Sequence, residues 1–409
     1  MQNILVEKPY KYSPPYRGTL IPTLVRTTGL FARHLRKSEG VVAHEVRNAG
    51  LLRKSIEAGH GILLAPNHSR TADPIVMGYL CRKVPCLAYA MASWHLFNQG
   101  AFYRFAIRYL GGFSINREGI DRQSIDEAIS ILDSGERPLV IFPEGTTSRT
   151  NDRLMPMLEG VSFIARAAAK RREKAGRGKV VVHPIAIKYV FGGDIHATSK
   201  PILADIERRL TWRPQTDKPL MTRLAKIGEA LLTLKELDTF GEIQTGTLPE
   251  RQENLIERLL SPLEAEWLGR SCEKHAGVVA RIKALRMKML PGMTHGEVTT
   301  RERARRVRQF EDTYLAQQVY CYPENYLAEP TTVDRVLETV ERFEEDLTDK
   351  AHVHGHLKVI IDVDEAIEVD PKRNRSASPD PLMESIRERL QIKLDALASE
   401  SRVFHEEGE

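Results

Sequence analysis

The chain has 409 residues, enough for one large core with an elaborate insertion or for two domains. Lys and Arg number 60 against 55 Asp and Glu; the net charge of +5 is too small to argue for nucleic-acid binding but suits contact with an anionic surface. The four cysteines lack both CxxC spacing and the density of a disulfide scaffold, so we expect reduced thiols in a cytoplasmic protein and no zinc site.

The first 44 residues are predicted to form an N-terminal arm. Residues 18–37 place apolar side chains at roughly helical spacing among basic ones, which predicts a basic amphipathic helix. This helix could pack on its own domain or lie on a membrane surface, and the pattern alone leaves both open. We expect no membrane span, because no run of 18 or more apolar residues exists, and no signal peptide, because the N-terminus lacks an apolar centre.

Residues 45–195 are predicted to form an α/β core. Short apolar runs bounded by turn residues indicate buried strands at residues 61–65, 112–115, 138–142 and 180–189. Helical patterns lie between these runs, and the alternation predicts a mainly parallel central sheet flanked by helices.

The pattern changes after residue 195. Residues 196–350 are charged and helical and show no internal repeat, whereas 351–409 contain a strand at 357–370, a closing helix at 381–397 and a polar tail. Because a lone strand needs a sheet to join, we favour a large helical insertion at 196–350, with 351–409 returning to the core. An independent C-terminal domain is the alternative.

Two further stretches have more than one interpretation. Residues 281–310 are strongly basic, which indicates either a solvated helix face or a contact with anionic lipid headgroups or a carrier protein. The histidines of HVHGH, residues 352–356, alternate too closely for a helical pair of metal ligands, so we interpret this stretch as a loop leading into the strand.

The end of the first predicted strand carries a histidine and an aspartate. Ligands of open parallel α/β sheets bind at the carboxyl ends of the strands, and His68 and Asp73 follow the first strand there. On a regular helix, their spacing of five residues would point the two side chains in different directions, so they would not meet. Proline is favoured at the first helical position, so we predict a helix that starts at Pro74 with Asp73 as its N-cap. A turn could then bring the two side chains together as a general-base dyad. The alternative is a helix cap beside a surface histidine.

Two other predicted strands also end in polar residues. Arg117 follows the second strand, and Glu144, Gly145 and Thr146 follow the third. A guanidinium suits phosphate or carboxylate, and a Gly/Thr turn offers backbone N–H groups and hydroxyls. Each residue could instead be structural. If the strands are neighbours, these residues and His68 lie at one edge of the sheet. Together they predict a site for an anionic substrate that bears a nucleophilic hydroxyl.

Four blocks of the sequence resemble the lysophospholipid and glycerol-phosphate acyltransferase family, which includes 1-acylglycerol-3-phosphate acyltransferase. They are residues 67–73 (NHSRTAD), 112–117 (GFSINR), 142–146 (FPEGT) and 181–187 (VVHPIAI). The resemblance covers roughly residues 45–195 together with 357–397, and the helical stretch lies outside it.

The resemblance implies acyl transfer from acyl-CoA or acyl-carrier protein to a hydroxyl of a glycerolipid, such as lysophosphatidic acid or another lysophospholipid, with no metal or other cofactor. It implies His68 as the general base and Asp73 as its orienter. The residues that it implies for substrate binding are Asn67, Arg117, Glu144, Gly145, Thr146 and Arg149. Thr147 and Glu159 depart from the family pattern, which often has basic residues there; Arg149 could replace the first.

Members of this family commonly sit on membranes, so we expect a peripheral protein on the cytoplasmic face of a membrane. Two other functions stay open. The chain could be a catalytically silent lipid-binding scaffold, or it could be a thioester or lipid hydrolase that uses the same base on water.

Overall fold

The computed structural model describes residues 8–119, 121–269, 277–294, 296, 298–372 and 379–407. The chain divides into two compact units. The sheet unit comprises Tyr10–Gly192 and His356–Ser401, and the helical unit consists mainly of Gly193–Gly355 with the C-terminal segment from Arg402. A helical segment therefore interrupts the sheet unit in sequence, as the predicted fold requires.

The first segment of the sheet unit alternates helices and strands. Its elements in chain order are α1 (Leu20–Thr28), α2 (Leu30–Ser38), β1 (Val41–Arg47), α3 (Ala49–Glu57), β2 (Gly61–Pro66), α4 (Asp73–Lys83), β3 (Tyr89–Ser93), a short 3₁₀ helix (Trp94–Asn98), α5 (Ala101–Tyr109), β4 (Gly112–Ile115), α6 (Arg122–Ser134), β5 (Leu139–Val140), α7 (Gly160–Lys174) and β6 (Val180–Phe191). β2 is buried throughout and β6 almost throughout, because both faces of this part of the sheet are covered.

The helical unit follows as a series of packed helices. They are α8 (Ile195–Arg209), α9 (Leu220–Phe240), α10 (Leu248–Leu268), α11 (Val278–Met289), α12 (Thr300–Tyr320) and α13 (Val333–Thr348). Apolar side chains of α10, α11 and α12, among them Leu259, Leu285 and Phe310, form its main core.

A buried Glu–Arg pair recurs at three successive junctions of these helices. The pairs are Glu207 with Arg223, Glu236 with Arg251, and Glu264 with Arg281. Each arginine is the fourth residue of its helix and donates two hydrogen bonds to a carboxylate near the end of the preceding helix. We call these pairs the Glu–Arg clasps. The contact recurs from junction to junction, although the sequence shows no internal repeat that would indicate it.

The chain then returns to the sheet unit. The last elements are β7 (Leu357–Val363), β8 (Ile367–Glu368) and α14 (Pro381–Ala398). The eight-stranded sheet has the order β1-β7-β6-β2-β5-β3-β4, with β8 paired to β6. The strands from β6 to β4 are parallel to one another, whereas β7 runs antiparallel to β6 and β1 runs parallel to β7. The prediction of a mainly parallel α/β sheet with a helical insertion is confirmed.

Two strands escaped the sequence prediction, and one predicted strand is divided. β1 lies at a sheet edge and only its first residue is fully buried, so it lacks the continuous apolar run of a central strand. β3 has only five residues. The strand expected at 357–370 is β7 followed by β8, and both pair with β6.

Candidate active site

β2 ends at Pro66, and the side chain of Asn67 continues the pairing with β6. Asn67 Oδ1 accepts a hydrogen bond from Ile187 N at 2.7 Å, and Asn67 Nδ2 donates to Ile187 O at 3.0 Å. The backbone N–H and C=O groups of β6 therefore keep hydrogen-bond partners beyond the last residue pair between β2 and β6. Buried Asn67 uses both side-chain amide atoms on the strand, so it holds the chain ahead of His68 and does not face a substrate as predicted.

The loop after β2 folds His68 back onto Asp73. His68 Nδ1 lies 2.9 Å from Asp73 Oδ2, and the Asp73 side chain is fully buried. α4 begins at Asp73, one residue before the predicted start, and it has no side-chain N-cap. Asp73 Oδ2 instead accepts a second hydrogen bond from Arg70 N at 2.9 Å. The carboxylate therefore serves the loop and the histidine, and the predicted helix cap is wrong.

Tyr189 of β6 completes the surroundings of the Asp73 carboxylate. Its hydroxyl donates to Asp73 Oδ1 at 2.6 Å. Burial raises the pKa of Tyr189 well above its usual value, and the Asp73 charge raises it further. The hydroxyl therefore stays protonated as a donor. The side chain of Asn151 accepts from Tyr189 N at 2.8 Å and fixes this part of β6 in the same way that Asn67 fixes Ile187.

Sequence reasoning placed Tyr189 on a strand but missed its role. The hydrogen bond joins residues 116 positions apart, and it depends on how far β6 extends past the end of β2. The signal available in the sequence was a tyrosine hydroxyl near the carboxyl end of a mostly apolar strand, where it would need a hydrogen-bond partner.

Glu144 lies in the turn after the neighbouring strand β5 and supports the loop of His68. Glu144 Oε1 accepts from His68 N at 2.6 Å, and Glu144 Oε2 accepts from Met155 N at 2.8 Å. Burial raises the pKa of Glu144 to about 8, with a contribution from Asp73, while the two backbone hydrogen bonds act in the opposite direction. Because this fully buried carboxylate points at backbone donors, it positions His68, and the expected contact with the acceptor's head group is not what its geometry offers.

The turn after Glu144 passes directly beside the His68 ring. Gly145 has φ +69°, and a Cβ there would lie 2.4 Å from a side-chain carbon of Leu158, so the turn requires glycine. Thr147 Oγ1 lies 3.4 Å from His68 Nε2, and Ser148 N donates to His68 O at 2.7 Å. The structure thus brings Thr147 to the ring, a residue that the sequence analysis noted only as a departure from the family pattern.

Two of the remaining predicted residues, Thr146 and Arg149, belong to the same turn and are half-buried. Arg149 has φ +61°, an uncommon conformation for a residue with a side chain. Arg149 and Arg70 both act electrostatically on Glu39, whose pKa burial raises. Two cationic side chains therefore lie on this side of the dyad, close to a partly buried carboxyl.

Arg117 follows β4, which is not a neighbour of β2. β5 and β3 lie between them, so the two strands are separated by three spacings of about 4.8 Å, or about 14 Å. Arg117 is half-buried, and within the described part of the chain it makes no hydrogen bond or ion pair. Burial lowers its pKa, with Glu118 acting against this. The parallel strands put Arg117 at the same sheet edge as His68, but β2 and β4 are not the neighbours that the prediction of a shared site assumed.

One comparison with known proteins bears on this site. Residues 45–188 match a family model described as Acyltransferase. The matched segment contains the loop of His68 and Asp73, the turn after Glu144, and β6 up to Lys188. No curated protein matches the chain. The match supports acyltransferase activity in general and identifies no particular member of the family.

Proposed function

We propose that the acyltransferase-family segment of this protein transfers a fatty acyl group from acyl-CoA or acyl-carrier protein to a hydroxyl of a glycerolipid, such as lysophosphatidic acid or another lysophospholipid. The observation that carries the proposal is the 2.9 Å contact between His68 Nδ1 and Asp73 Oδ2. A carboxylate on Nδ1 favours the tautomer with its proton there, which leaves Nε2 free to accept one. Nε2 faces the Thr147 turn, where an acceptor hydroxyl would lie.

The reaction then needs no covalent enzyme intermediate. His68 Nε2 removes the proton from the acceptor hydroxyl while its oxygen attacks the thioester carbonyl. The new C–O bond forms, the C–S bond breaks, and the His68 imidazolium returns the proton to the departing thiolate. Asp73 stabilises the imidazolium during this cycle, and Tyr189 and Arg70 N hold Asp73 in place.

The acceptor's polar head is assigned to the turn beside His68. Gly145, Thr146 and Arg149 lie in this turn, and Arg149 supplies a cation for a phosphate. Arg117 lies further along the same sheet edge and would reach only an extended part of a substrate, such as the carrier of the acyl donor. No metal or other cofactor is part of this mechanism.

The lipid substrates imply contact with a membrane surface, and we assign this contact to α1 and α5. Across the described part of the chain, every helix is too short or too polar to cross a bilayer. α5 has no buried residue, Phe102 is 76% exposed, and Leu20 of α1 is 77% exposed. Tyr16, just before α1, packs on Tyr109 at the end of α5, so the two helices are linked. Exposed apolar side chains with nearby arginines suit a peripheral protein on the anionic cytoplasmic face of a membrane.

The test is an assay of the purified full chain. Acyl-CoA and acyl-carrier protein substrates are each offered with a panel of lysophospholipids and glycerol phosphate, and both thiol release and acylated product are measured. We expect acceptor-dependent product, and His68→Ala should lower the rate by about 10² to 10⁴-fold. His356→Ala is the matched control, because His356 is exposed and lies outside the matched segment.

The other outcomes separate the competing functions. Thiol and free fatty acid released equally with and without acceptor would indicate a hydrolase. Lipid binding without any product would indicate a silent scaffold. Full activity of the His68→Ala protein would contradict the assignment of the base.

A further inference from the structure

The segment between α13 and β7 carries the sequence HVHGH, which acyl transfer at His68 does not use. His352 Nδ1 lies 2.9 Å from Glu344 Oε1, and His354 Nε2 lies 2.5 Å from Glu344 Oε2. Each imidazole therefore faces a different oxygen of one carboxylate. The ligand atoms of these three residues lie within 4.8 Å of one another.

The local fold explains why the three side chains meet. α13 ends at Thr348, and Asp349 adopts a left-handed conformation with φ 55° that ends the helix and lets the chain turn back. His354 N then donates to Glu341 Oε1 at 2.8 Å, which fastens the returning segment to the last turns of the helix. Glu341 and Glu344 are three residues apart and share a helix face. His352 and His354 are two residues apart, the spacing that places side chains on one side of an extended chain.

We propose that His352, His354 and Glu344 form a zinc-binding site. Two imidazole nitrogens and one carboxylate oxygen are ligands that zinc accepts, whereas hard cations such as Mg²⁺ and Ca²⁺ prefer oxygen alone. Zinc bonds of about 2.1 Å in a tetrahedral site place ligand atoms about 3.4 Å apart. The two imidazole–carboxylate contacts would therefore open by about 0.5 to 0.9 Å when the ion binds, which side-chain rotation can supply.

The surroundings allow an ion to enter. The exposed fraction of the side chain is 14% for Glu344 and 26% for His354, and that of His352 is larger still. Three protein ligands leave the fourth tetrahedral position to water on this exposed side. Arg209 is a nearby cation whose pKa is raised by its hydrogen bond to Asp205 and also by the Glu344 charge. Its guanidinium is already paired with Asp205, at 2.7 Å between Arg209 Nε and Asp205 Oδ2. The Glu341 carboxylate adds a negative charge next to the site.

The ion would have a structural consequence. It would tie the last turns of α13 to the segment that leads into β7, with three bonds in place of the present contacts with Glu344. Without an ion, the same residues are a hydrogen-bonded cluster of two imidazoles and one carboxylate. The two cases differ in stoichiometric metal binding and in the protection of residues 349–356 from hydrogen exchange.

The experiment uses the full chain stripped of metal with a chelator and then titrated with zinc chloride against a chromogenic chelator. We expect one zinc ion per chain, no competition from Mg²⁺, and slower hydrogen exchange in residues 349–356 when zinc is present. His352→Ala and His354→Ala should each weaken binding by about tenfold or more. His356→Ala should bind as the unmodified chain does, because the third histidine of HVHGH lies outside the cluster.

Glu344→Gln distinguishes the loss of a zinc ligand from a folding defect. The amide keeps much of the side chain's hydrogen-bonding capacity but lacks the charge, so zinc binding should weaken while the helical circular dichroism and melting temperature of the metal-free protein stay unchanged. Binding at less than one ion per chain, or equal loss in the His356→Ala protein, would overturn the site. So would zinc affinity that survives both His352→Ala and His354→Ala.

Discussion

Asp73 holds His68 with one carboxylate oxygen while the hydroxyl of Tyr189 holds the other at 2.6 Å. Tyr189→Phe removes a hydrogen bond to a buried charged group, a loss of about 1.5 to 3 kcal/mol. Asp73 would then orient the imidazole less well, and we expect kcat to fall by about tenfold or more while KM for the acceptor changes little. Steady-state kinetics at varied acceptor concentration measures both quantities.

A matched tyrosine separates this role from packing. Tyr89 is also buried on the sheet, and among the described residues its hydroxyl has no hydrogen-bond partner. Tyr89→Phe should leave kcat unchanged. If Tyr189→Phe and Tyr89→Phe behave alike, Tyr189 does not position Asp73 for catalysis.

Glu144 predicts a pH dependence of stability. Its pKa is about 8 in the folded chain, against an ordinary value of 4.5, so the folded state binds more protons between these values. Its contribution to the free energy of unfolding is therefore fully present below pH 4.5 and is lost as the pH rises towards 8, by at most about 5 kcal/mol. Urea unfolding at pH 5.5 and pH 8.5 should show a smaller decrease for Glu144→Gln than for the unmodified chain. Equal decreases in the two proteins would show that Glu144 is not protonated preferentially in the folded state.

The site residues differ in how far the sequence could predict them. The contact of His68 with Asp73 is local, and Pro74 indicated where the helix had to begin, to within one residue. Glu144 was recognised, but its role depends on the amides of His68 and Met155, which the fold brings together from two different loops. Such contacts depend on strand order, and a single sequence does not display it.

Among the elements, the Glu–Arg clasps predict where the helical unit is sensitive. Arg251→Met leaves the Glu236 carboxylate buried without its main partner, which should lower the free energy of unfolding by about 3 to 5 kcal/mol. Replacing both members, Glu236→Leu with Arg251→Met, should recover most of the loss. Urea unfolding followed by circular dichroism measures the three proteins.

An exposed pair of the same chemistry is the control. Arg209 and Asp205 form an ion pair on the surface of α8, and Arg209→Met should lower the free energy of unfolding far less than Arg251→Met does, because solvent screens an exposed pair. A loss for Arg251→Met no larger than that for Arg209→Met would show that burial does not make the clasp important.

The elements themselves were predictable in proportion to their burial. β2 is an uninterrupted apolar run and β4 and β6 are mostly apolar, and the sequence located all three within a few residues. β1 is an edge strand with polar side chains and a single fully buried residue, and it gave no such signal. The clasps were invisible for a different reason, since a charged residue in a helical pattern normally indicates a solvated face and here indicates a buried pair.

At the scale of the whole molecule, the predicted α/β sheet with a helical insertion is what the structure contains, and residues 351–356 form the loop that was predicted to lead into a strand. The zinc-site proposal adds a function to this loop. The spacing of the histidines argued against a helical pair of metal ligands, and in the structure both His352 and His354 contact Glu344 from the loop after α13. Their common partner lies on the preceding helix, and the reversal at Asp349 that brings it close is a property of the backbone. Local spacing could therefore argue against a helical pair of ligands, but it could not reveal that both histidines contact a carboxylate on the preceding helix.

The exposed apolar surface of the sheet unit predicts which face would contact a membrane that holds the proposed lipid substrate. Phe102 of α5 is 76% exposed and Phe105 is 50% exposed, and full transfer of an exposed phenylalanine ring from water into an apolar environment is favourable by about 1.5 to 3 kcal/mol, which is an upper bound for each of these rings. Phe102→Ser with Phe105→Ser should therefore weaken binding to vesicles with anionic lipid by about tenfold or more in a sedimentation assay. Activity on a water-soluble short-chain acceptor should persist, because neither ring belongs to the His68 site.

Ile392 of α14 provides the control for a general effect of removing surface apolar area. It is 67% exposed but stands away from α1 and α5 in the sequence, and Ile392→Ser should leave vesicle binding unchanged. An equal loss in both proteins would mean that vesicle binding follows total apolar surface and not a particular face. Binding unaffected by either change would remove α5 from the proposed membrane contact and leave the basic amphipathic α1 and α2 to account for it.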